Sequence, residues 1–292
     1  MLYINNTLLE SKSFPDGTPL MKLEELRLPA NKPVIITWLY DNDAECMRLL
    51  FLTQHLKSKG YNDIILVMPY IPNARFDRVK EDTEVFTLKY FAEFINSMNF
   101  KKVYALDPHS YVSEALINNI VPVSPDAMIE DVLVDIPTDI KRDLVLFFPD
   151  EGAMKRYSNL ATKYGFKCVF ASKKRDWSTG EILGLELHGN EGCFLMGRHV
   201  LIIDDICSKG GTFYHSAKAL KNAGVNNIYL YISHCENTVL TGDLYSSDLI
   251  DQIYTTNSIF RNEKDSDKRI TIYNKIKVFN IRQFLSTFNI TI

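Results

Sequence analysis

The sequence predicts an α/β fold built on mainly parallel sheets. Short apolar runs alternate with amphipathic segments along its 292 residues, and this rhythm is typical of strands that alternate with helices. Most runs are rich in β-branched or aromatic residues and are apolar on both faces, as buried parallel strands are. The length favours about two domains. We therefore expect a parallel-sheet protein with two cores.

The predicted strands follow one another through the chain. They are Val34–Tyr40, Ile64–Pro69, Lys102–Leu106, Leu144–Phe148, Lys167–Ala171, Ile182–His188, Val200–Ile203, Asn227–Ile232 and Ile253–Thr255. Helices are predicted between them at Ala44–Ser58, Thr83–Met98 and Thr212–Asn222. Apolar residues recur at helical spacing in the first two. Thr83 is a capping-type residue for the second helix, and Gly224 is a C-cap for the third.

Composition and charge exclude several classes of function. The net charge of -3 leaves no broad basic surface, so we expect no nucleic acid partner. The longest apolar runs, such as Ile64–Met68, are too short to cross a bilayer, and the N-terminal segment does not resemble a signal peptide. The five cysteines are odd in number and lack C-x-x-C spacing. We expect reduced thiols, a cytoplasmic location and no zinc site.

The most informative motif is HVLIIDDICSKGGTF, residues 199–213. A buried strand leads into Asp204 and Asp205, and a small-residue loop then precedes a helix. Glycines allow a tight turn that presents backbone N–H groups, and a helix N-terminus favours a phosphate. The two carboxylates can hold ribose hydroxyls or a hydrated Mg²⁺. The plainer alternative is a strand–turn–helix joint with solvated acids.

This segment resembles the phosphoribosyl pyrophosphate-binding motif of type I phosphoribosyltransferases and ribose-phosphate pyrophosphokinases. That motif has four apolar residues, two acids, two variable residues and then Asp-Thr-Gly-Gly-Thr. The matching residues are Asp204, Asp205, Gly210, Gly211 and Thr212. Ser208 and Lys209 stand where the family has Asp and Thr. The resemblance implies that the two acids hold the ribose and that Ser208, Lys209, Gly210, Gly211 and Thr212 hold its 5-phosphate.

Two further segments resemble the pyrophosphokinases rather than the transferases. PYIPNARFDR, residues 69–78, is similar to the family's Pro-Tyr-Phe-x-Tyr-Ala-Arg-Gln-Asp-Arg, with Phe76 in place of Gln. The resemblance implies that Arg75, Asp77 and Arg78 bind ATP, and guanidiniums suit a polyphosphate. A surface cluster of Arg and Asp is the plainer alternative. VYALDPHSYVSEAL, residues 103–116, resembles a segment whose histidine contacts Mg²⁺–ATP, which implies that role for His109.

Three more segments complete the resemblance. LFFPDEGAM is similar to the family's Ser-Pro-Asp-x-Gly-Gly segment and implies a Mg²⁺ or ribose role for Asp150, which would also suit a helix N-cap. FASKKRDW resembles the family's catalytic strand end and implies that Lys173 and Arg175 stabilise the transition state. Solvated cations are the alternative there. SFPDGTP resembles a hairpin that reaches a neighbouring subunit's adenine pocket, which implies ATP contacts for Phe14 and Asp16.

Taken together, the motifs identify the chain as similar to the ribose-phosphate pyrophosphokinases. The family implies two tandem type I phosphoribosyltransferase domains, residues 1–124 and 125–278, with residues 279–292 packing back on the first. It implies an enzyme that uses Mg²⁺ and moves a diphosphate from ATP to the 1-hydroxyl of a ribose 5-phosphate moiety, releasing AMP. It also implies a homo-oligomer, from dimer to hexamer, whose ligands are small molecules.

Several alternatives stay open. Lys209 would suit a second phosphate, so the acceptor is either ribose 5-phosphate or a derivative such as ADP-ribose, which would give ADP-ribose pyrophosphate. A phosphoribosyltransferase would share the loop but would not need residues 69–78. The departures at Phe76, Ala153, Ser208 and Lys209 give some support to a non-catalytic regulatory relative. The retained His109, Lys173 and Arg175 count against it.

Overall fold

The computed structural model describes residues 1–23, 32–175, 182–189, 194–261 and 270–288, and its chain forms two compact units. Unit 1 consists of Met1–Pro125 and Ile281–Ile292, and unit 2 consists of Asp126–Asn280. Each unit has its own large sheet and its own apolar core. Both units combine parallel strands with helices, so the predicted α/β class is confirmed.

The strands of unit 1 are short at the N-terminus and longer in the centre of the sheet. They are β1 Leu2–Ile4, β2 Thr7–Leu8, β3 Ser11–Ser13, β4 Pro19–Met21, β5 Val34–Trp38, β6 Ile64–Val67, β7 Lys102–Leu106 and β8 Ile120–Val123. Its helices are α1 Ala44–Ser58, α2 Thr87–Ser97, α3 Tyr111–Leu116 and the 3₁₀ helix Ile281–Phe288.

The strands of unit 2 include the longest of the described chain. They are β9 Leu144–Phe148, β10 Lys167–Arg175, β11 Ile182–Gly189, β12 His199–Cys207, β13 Ile228–Cys235, β14 Gln252–Thr256, β15 Ile270–Tyr273 and β16 Ile276–Phe279. Its helices are α4 Asp126–Asp135, α5 Thr138–Lys141, α6 Glu151–Tyr164, α7 Gly211–Asn222, α8 Asp243–Ser246 and the 3₁₀ helix Asn237–Thr241.

The sheet of unit 1 has the strand order β2-β1-β5-β6-β7-β8. Strands β5 to β8 are parallel, and β1 joins them antiparallel. Ile36, Trp38 and Leu66 belong to its buried core. Arg282 places its guanidinium 4.5 Å from the centre of the Tyr3 ring, so the C-terminal segment packs on the first strand of this unit.

Helix α2 begins at Thr87, and the predicted start at Thr83 is wrong. Residues before the helix form a turn in which the Glu84 carboxylate accepts hydrogen bonds from the N–H groups of Lys80 and Glu81. These two backbone donors are therefore satisfied by a side chain in a turn, and the helix begins only after it. Helix α1 and strands β7 and β9 have the predicted bounds.

The sheet of unit 2 has the order β11-β10-β9-β12-β13-β14-β16-β15. Its central strands are parallel, and β11 and β15 pair antiparallel at the two edges. Every residue of β9 and of β13 is buried, which agrees with the continuous apolar runs expected of central parallel strands. Carboxyl ends of parallel strands share one edge of the sheet, and this edge positions the candidate site.

Strand β12 extends further than predicted. The sequence places its end at Ile203, whereas the ladder to β13 continues from Val200 opposite Ile228 to Cys207 opposite Cys235. The long neighbouring strand supplies hydrogen-bonding partners beyond the apolar run, so the ladder includes Asp204 and resumes at Ile206, beyond Asp205. Asp204 and Asp205 are consequently fixed within a strand and do not lie in a loop.

Candidate functional site

The acids of unit 2 meet at the carboxyl edge of its sheet. Asp150 follows β9, and Asp204 lies near the end of β12, the strand paired with β9. Burial raises the pKa of Asp204 well above its usual range, and the charges of Asp205 and Asp150 raise it further. The Asp205 N–H donates to the Asp204 carboxylate at 3.0 Å. The carboxylates at this edge are therefore close enough for the charges of two of them to raise the pKa of the third.

Asp205 is buried and forms an ion pair that the sequence did not indicate. The Nη1 atom of Arg156 lies 3.1 Å from the Asp205 carboxylate oxygen, and its guanidinium also lies 5.4 Å from the centre of the Tyr157 ring. Arg156 belongs to α6, next to the exposed Lys155. No local pattern separates these two cations, because only the rotation of α6 on the sheet decides which of them meets the acid.

The residues Ser208–Thr212, here called the phosphate loop, join β12 to α7. Gly210 precedes the helix with a φ of 83°, a left-handed conformation that favours glycine. Gly211 and Thr212 are exposed at the helix N-terminus. Free N–H groups and the helix dipole make such a terminus suitable for a phosphate group. Ser208 is half-buried and Lys209 is exposed.

Two thiols lie directly below the phosphate loop. Cys207 and Cys235 are opposite each other in neighbouring parallel strands, and both are buried as free thiols. The hydrogen bond with Cys207 and burial together raise the pKa of Cys235 well above its usual range. The pair therefore behaves as part of the core and not as a nucleophile.

Asp150 has the structural role that the sequence allowed for it. Its Oδ1 accepts a hydrogen bond from the Ala153 N–H at 2.9 Å and so caps helix α6. The residue is exposed, and its charge reaches Asp204 across the strand ends. Capping uses one lone pair of one carboxylate oxygen, so the cap leaves acceptor capacity for a cation.

In unit 1, the segment with Arg75, Asp77 and Arg78 follows the carboxyl end of β6. A turn at Asn73, with a φ of 64°, is closed by the Phe76 N–H donating to the Asn73 carbonyl at 3.0 Å. The turn leaves Arg75 and Arg78 exposed and Asp77 half-buried. The predicted ATP-binding residues of this segment thus share one short loop.

The neighbouring strand β7 ends at a strained residue. Asp107 is 4 % exposed and has a φ of 44°, which is uncommon for a residue other than glycine. Its N–H donates to the Val123 carbonyl of β8 at 2.9 Å. His109 follows and is half-buried. Because β6 and β7 are adjacent and parallel, His109 and the Arg75 loop extend from the same edge of the sheet.

The N-terminal hairpin is formed by β3 and β4, which pair antiparallel. In its turn the Thr18 N–H and hydroxyl donate to the Asp16 carboxylate at 3.0 and 2.7 Å. The hydroxyl and then the N–H lower the pKa of this exposed carboxyl. Phe14 is half exposed at the base of the turn.

The predicted residues thus fall into two groups, one in each unit. Lys173 and Arg175 end strand β10, but their side chains lie outside the described part of the chain. Among the described residues there is no cluster of three or more His, Cys, Asp or Glu that could hold a metal ion by itself. In the same ranges, helices are too short or too polar to span a membrane.

The chain is similar to known proteins along most of its length. Residues 2–98 match the N-terminal domain of ribose phosphate pyrophosphokinase. The ribose-phosphate pyrophosphokinase of Sulfolobus acidocaldarius is 26% identical over 252 residues, 86% of this chain and 84% of that protein. Ribose-phosphate pyrophosphokinase 1 of Listeria monocytogenes is 29% identical over 256 residues, 84% of this chain and 76% of the relative.

A solved structure supports the same fold. The phosphoribosylpyrophosphate synthetase from Mycobacterium smegmatis superposes with a TM-score of 0.76 and 17% sequence identity, covering 96% of this chain and 88% of that one. The expected architecture of two tandem phosphoribosyltransferase-type units is therefore confirmed at the level of the fold.

Proposed function

We infer that this chain, which belongs to the ribose-phosphate pyrophosphokinase family, is a diphosphotransferase that moves the β,γ-diphosphate of ATP to a ribose 5-phosphate moiety. The 1-hydroxyl of the sugar attacks the β-phosphorus, and AMP leaves. The observation that carries this proposal is the carboxyl edge of unit 2, where a paired acid strand leads into a glycine loop at a helix N-terminus. Such transfers need positioning and charge stabilisation more than covalent chemistry.

The ribose acceptor is proposed to bind at this edge of unit 2. Asp204 and Asp205 would accept hydrogen bonds from sugar hydroxyls, and the ion pair with Arg156 would hold the Asp205 carboxylate in place. The N–H groups of the phosphate loop would hold the 5-phosphate. Since the acids belong to a strand and the loop follows it directly, ribose and phosphate would bind along one continuous segment.

ATP is proposed to bind with residues of unit 1. Arg75 and Arg78 would contact the polyphosphate, and Asp77 would orient them or the nucleotide. Phe14 and Asp16 are proposed for the adenine end, because the hairpin presents a half-exposed aromatic ring next to a rigid turn. The expected site between subunits would explain why a hairpin carries these residues, and a homo-oligomer between dimer and hexamer is part of the proposal.

Mg²⁺ fits the oxygen donors at the carboxyl edge of unit 2. Asp150 offers a carboxylate next to Asp204, and oxygen donors are what this ion prefers. His109 is proposed to contact the metal–nucleotide in unit 1. When bound, Mg²⁺ would neutralise phosphate charge. Asp150 would thus act at the acceptor edge and His109 at the nucleotide.

Lys173 and Arg175 are proposed to neutralise the charge that develops on the transferred group. Support comes from their position at the end of β10, a parallel neighbour of β9, whose carboxyl end holds Asp150. Cations held near the strand edge stabilise the transition state more than the ground state, which raises kcat.

Two acceptors fit the phosphate loop. Ser208 removes a charge and the exposed Lys209 adds one, relative to the family pattern. A lysine at this place suits an additional phosphate, as in ADP-ribose, whereas a loop that binds through its backbone suits ribose 5-phosphate alone. Independently of the acceptor, we propose a cytoplasmic location, because the described cysteines are free thiols and a reducing compartment keeps thiols reduced.

AMP release from Mg²⁺–ATP tests the proposal, with ribose 5-phosphate and ADP-ribose as parallel acceptors. AMP release with ribose 5-phosphate would support ribose 5-phosphate as the acceptor. Release only with ADP-ribose would support an acceptor pocket altered by Ser208 and Lys209. The double substitution S208D/K209T restores the family residues and should lower any preference for ADP-ribose. Release with neither acceptor would overturn the enzyme proposal as stated.

A further inference from the structure

The segment that follows β13, residues 236–247, returns over the phosphate loop and is here called the clamp segment. Its first N–H, from Glu236, donates to the Cys207 carbonyl at 2.8 Å, immediately before the loop. A short 3₁₀ helix and helix α8 follow, and Val239 and Leu244 are fully buried. The segment is therefore a packed element of unit 2 with a backbone connection to the base of the loop.

The closest approach involves two glycines, one from each side. A Cβ atom added to Gly242 would lie 2.0 Å from the carbonyl oxygen of Lys209 and 3.0 Å from its carbonyl carbon. A Cβ atom added to Gly210 would lie 2.4 Å from Cδ2 of Leu244. The first contact is with backbone, which cannot rotate away as a side chain can. Two successive residues of the phosphate loop are thus held against the clamp segment without room for a methyl group.

The other side of the clamp segment is anchored to the turn between β15 and β16. The Lys275 ammonium donates to the Ser247 carbonyl at 2.7 Å and to the Leu244 carbonyl at 3.3 Å. The Asn274 amide donates to the Tyr245 hydroxyl at 2.8 Å. Because these bonds fix the segment from behind, a strain introduced at Gly242 cannot be relieved by its outward movement and must displace the phosphate loop.

We infer that the clamp segment sets the position of the phosphate loop and that Gly242 and Leu244 are positioning residues for the acceptor. The inference rests on the proposed function for the identity of the ligand. Gly242 fixes the peptide plane between Lys209 and Gly210, and Leu244 supports Gly210 in its left-handed conformation. The N–H groups at the start of α7 thereby keep the direction that a 5-phosphate requires.

Gly242→Ala tests the contact with the Lys209 carbonyl. We expect the KM for ribose 5-phosphate to rise by about 10- to 100-fold, since a displacement near 1 Å has effects of that order. The KM for ATP should stay within about twofold, because the nucleotide residues belong to the other unit. Asp243→Asn is the matched control, since Asp243 is the exposed residue between the two positioning residues, and it should match the wild type.

Leu244→Ala provides a second test that adds no atoms to the contact. It removes the side chain that supports Gly210 and should also weaken binding of the acceptor. The inference therefore stays testable if Gly242→Ala does not fold. Titration calorimetry with ribose 5-phosphate, and separately with inorganic phosphate, gives a readout that does not depend on turnover. A lack of turnover by the wild type would overturn the proposed function, whereas the comparison of affinities would still test the clamp. Wild-type affinity for ribose 5-phosphate in both folded variants would overturn the inference that the clamp segment positions the phosphate loop.

Discussion

The Arg156 guanidinium and the Asp205 carboxylate form an ion pair at 3.1 Å, and the acid is only 4% exposed. A buried carboxylate needs such a partner, because an uncompensated charge in the core is costly. The pair links helix α6 to strand β12 and so connects the two segments that carry Asp150 and Asp204. It therefore stabilises the edge of unit 2 where we propose that the acceptor binds.

Arg156→Ala should therefore destabilise the protein strongly. We expect the free energy of unfolding to fall by about 3–5 kcal/mol, because the substitution removes the cation that faces a buried carboxylate. Lys101→Ala is the control, since Lys101 pairs with Asp63 at the surface and such pairs contribute about 1 kcal/mol or less. Denaturant unfolding measures both. Equal small losses in the two variants would show that Asp205 does not depend on Arg156.

The two roles of Asp150 can be separated by substitution. Asp150→Ala removes the cap of α6 and should cost about 1 kcal/mol of stability, whereas Asp150→Asn keeps an N-cap acceptor and should cost little. If the charge is needed for Mg²⁺, both variants lose AMP release, with Asn as inactive as Ala. Thermal unfolding and turnover are measured in parallel. Full activity of Asp150→Asn would leave capping as the role of this residue.

The cations at the end of β10 should act on kcat. Lys173→Ala and Arg175→Ala are each expected to lower kcat by about 100- to 1,000-fold, as the loss of one electrostatic stabiliser does elsewhere. The KM values should change little if the cations act on the transition state. Lys174→Ala is the control from the same strand. Steady-state AMP release measures all three variants. An equally large loss of kcat in Lys174→Ala would mean that the total positive charge of the strand end matters, and not specific roles of Lys173 and Arg175.

Three of the described cysteines, Cys46, Cys207 and Cys235, should react slowly with alkylating reagents near neutral pH. Burial, and then the charges of Asp43 and Glu45, raise the pKa of the Cys46 thiol to about 11, so only about a thousandth of it is thiolate at pH 8, against roughly a quarter of an ordinary thiol. Labelling of Cys46 should accelerate about tenfold per pH unit in this range. Cys207 and Cys235 should stay unlabelled in the folded protein. Peptide mapping after alkylation measures this, with urea-unfolded protein as the comparison, and rapid labelling of either buried thiol at pH 8 would contradict the packing described.

Much of the fold follows from local sequence patterns. The apolar runs of β7 and β9 and the helical spacing of α1 gave correct bounds. Burial on both faces and helical periodicity each produce a recognisable pattern of apolar residues along the chain. The start of α2 was missed because the Glu84 side chain takes over backbone donors, an effect that apolar spacing does not register. The end of β12 was missed because its ladder partner, and not its own composition, determines its length.

The sequence by itself determined the α/β class, the acids Asp204 and Asp205, and a glycine loop in front of a helix. Each of these depends on residues that are neighbours in the chain. Tertiary structure decided that Arg156 and not Lys155 meets Asp205, and that Gly242 lies against the carbonyl of Lys209. Those contacts join residues that are distant in sequence, so they depend on how α6 rotates on the sheet and how the segment after β13 returns. No local pattern of residues encodes either geometry.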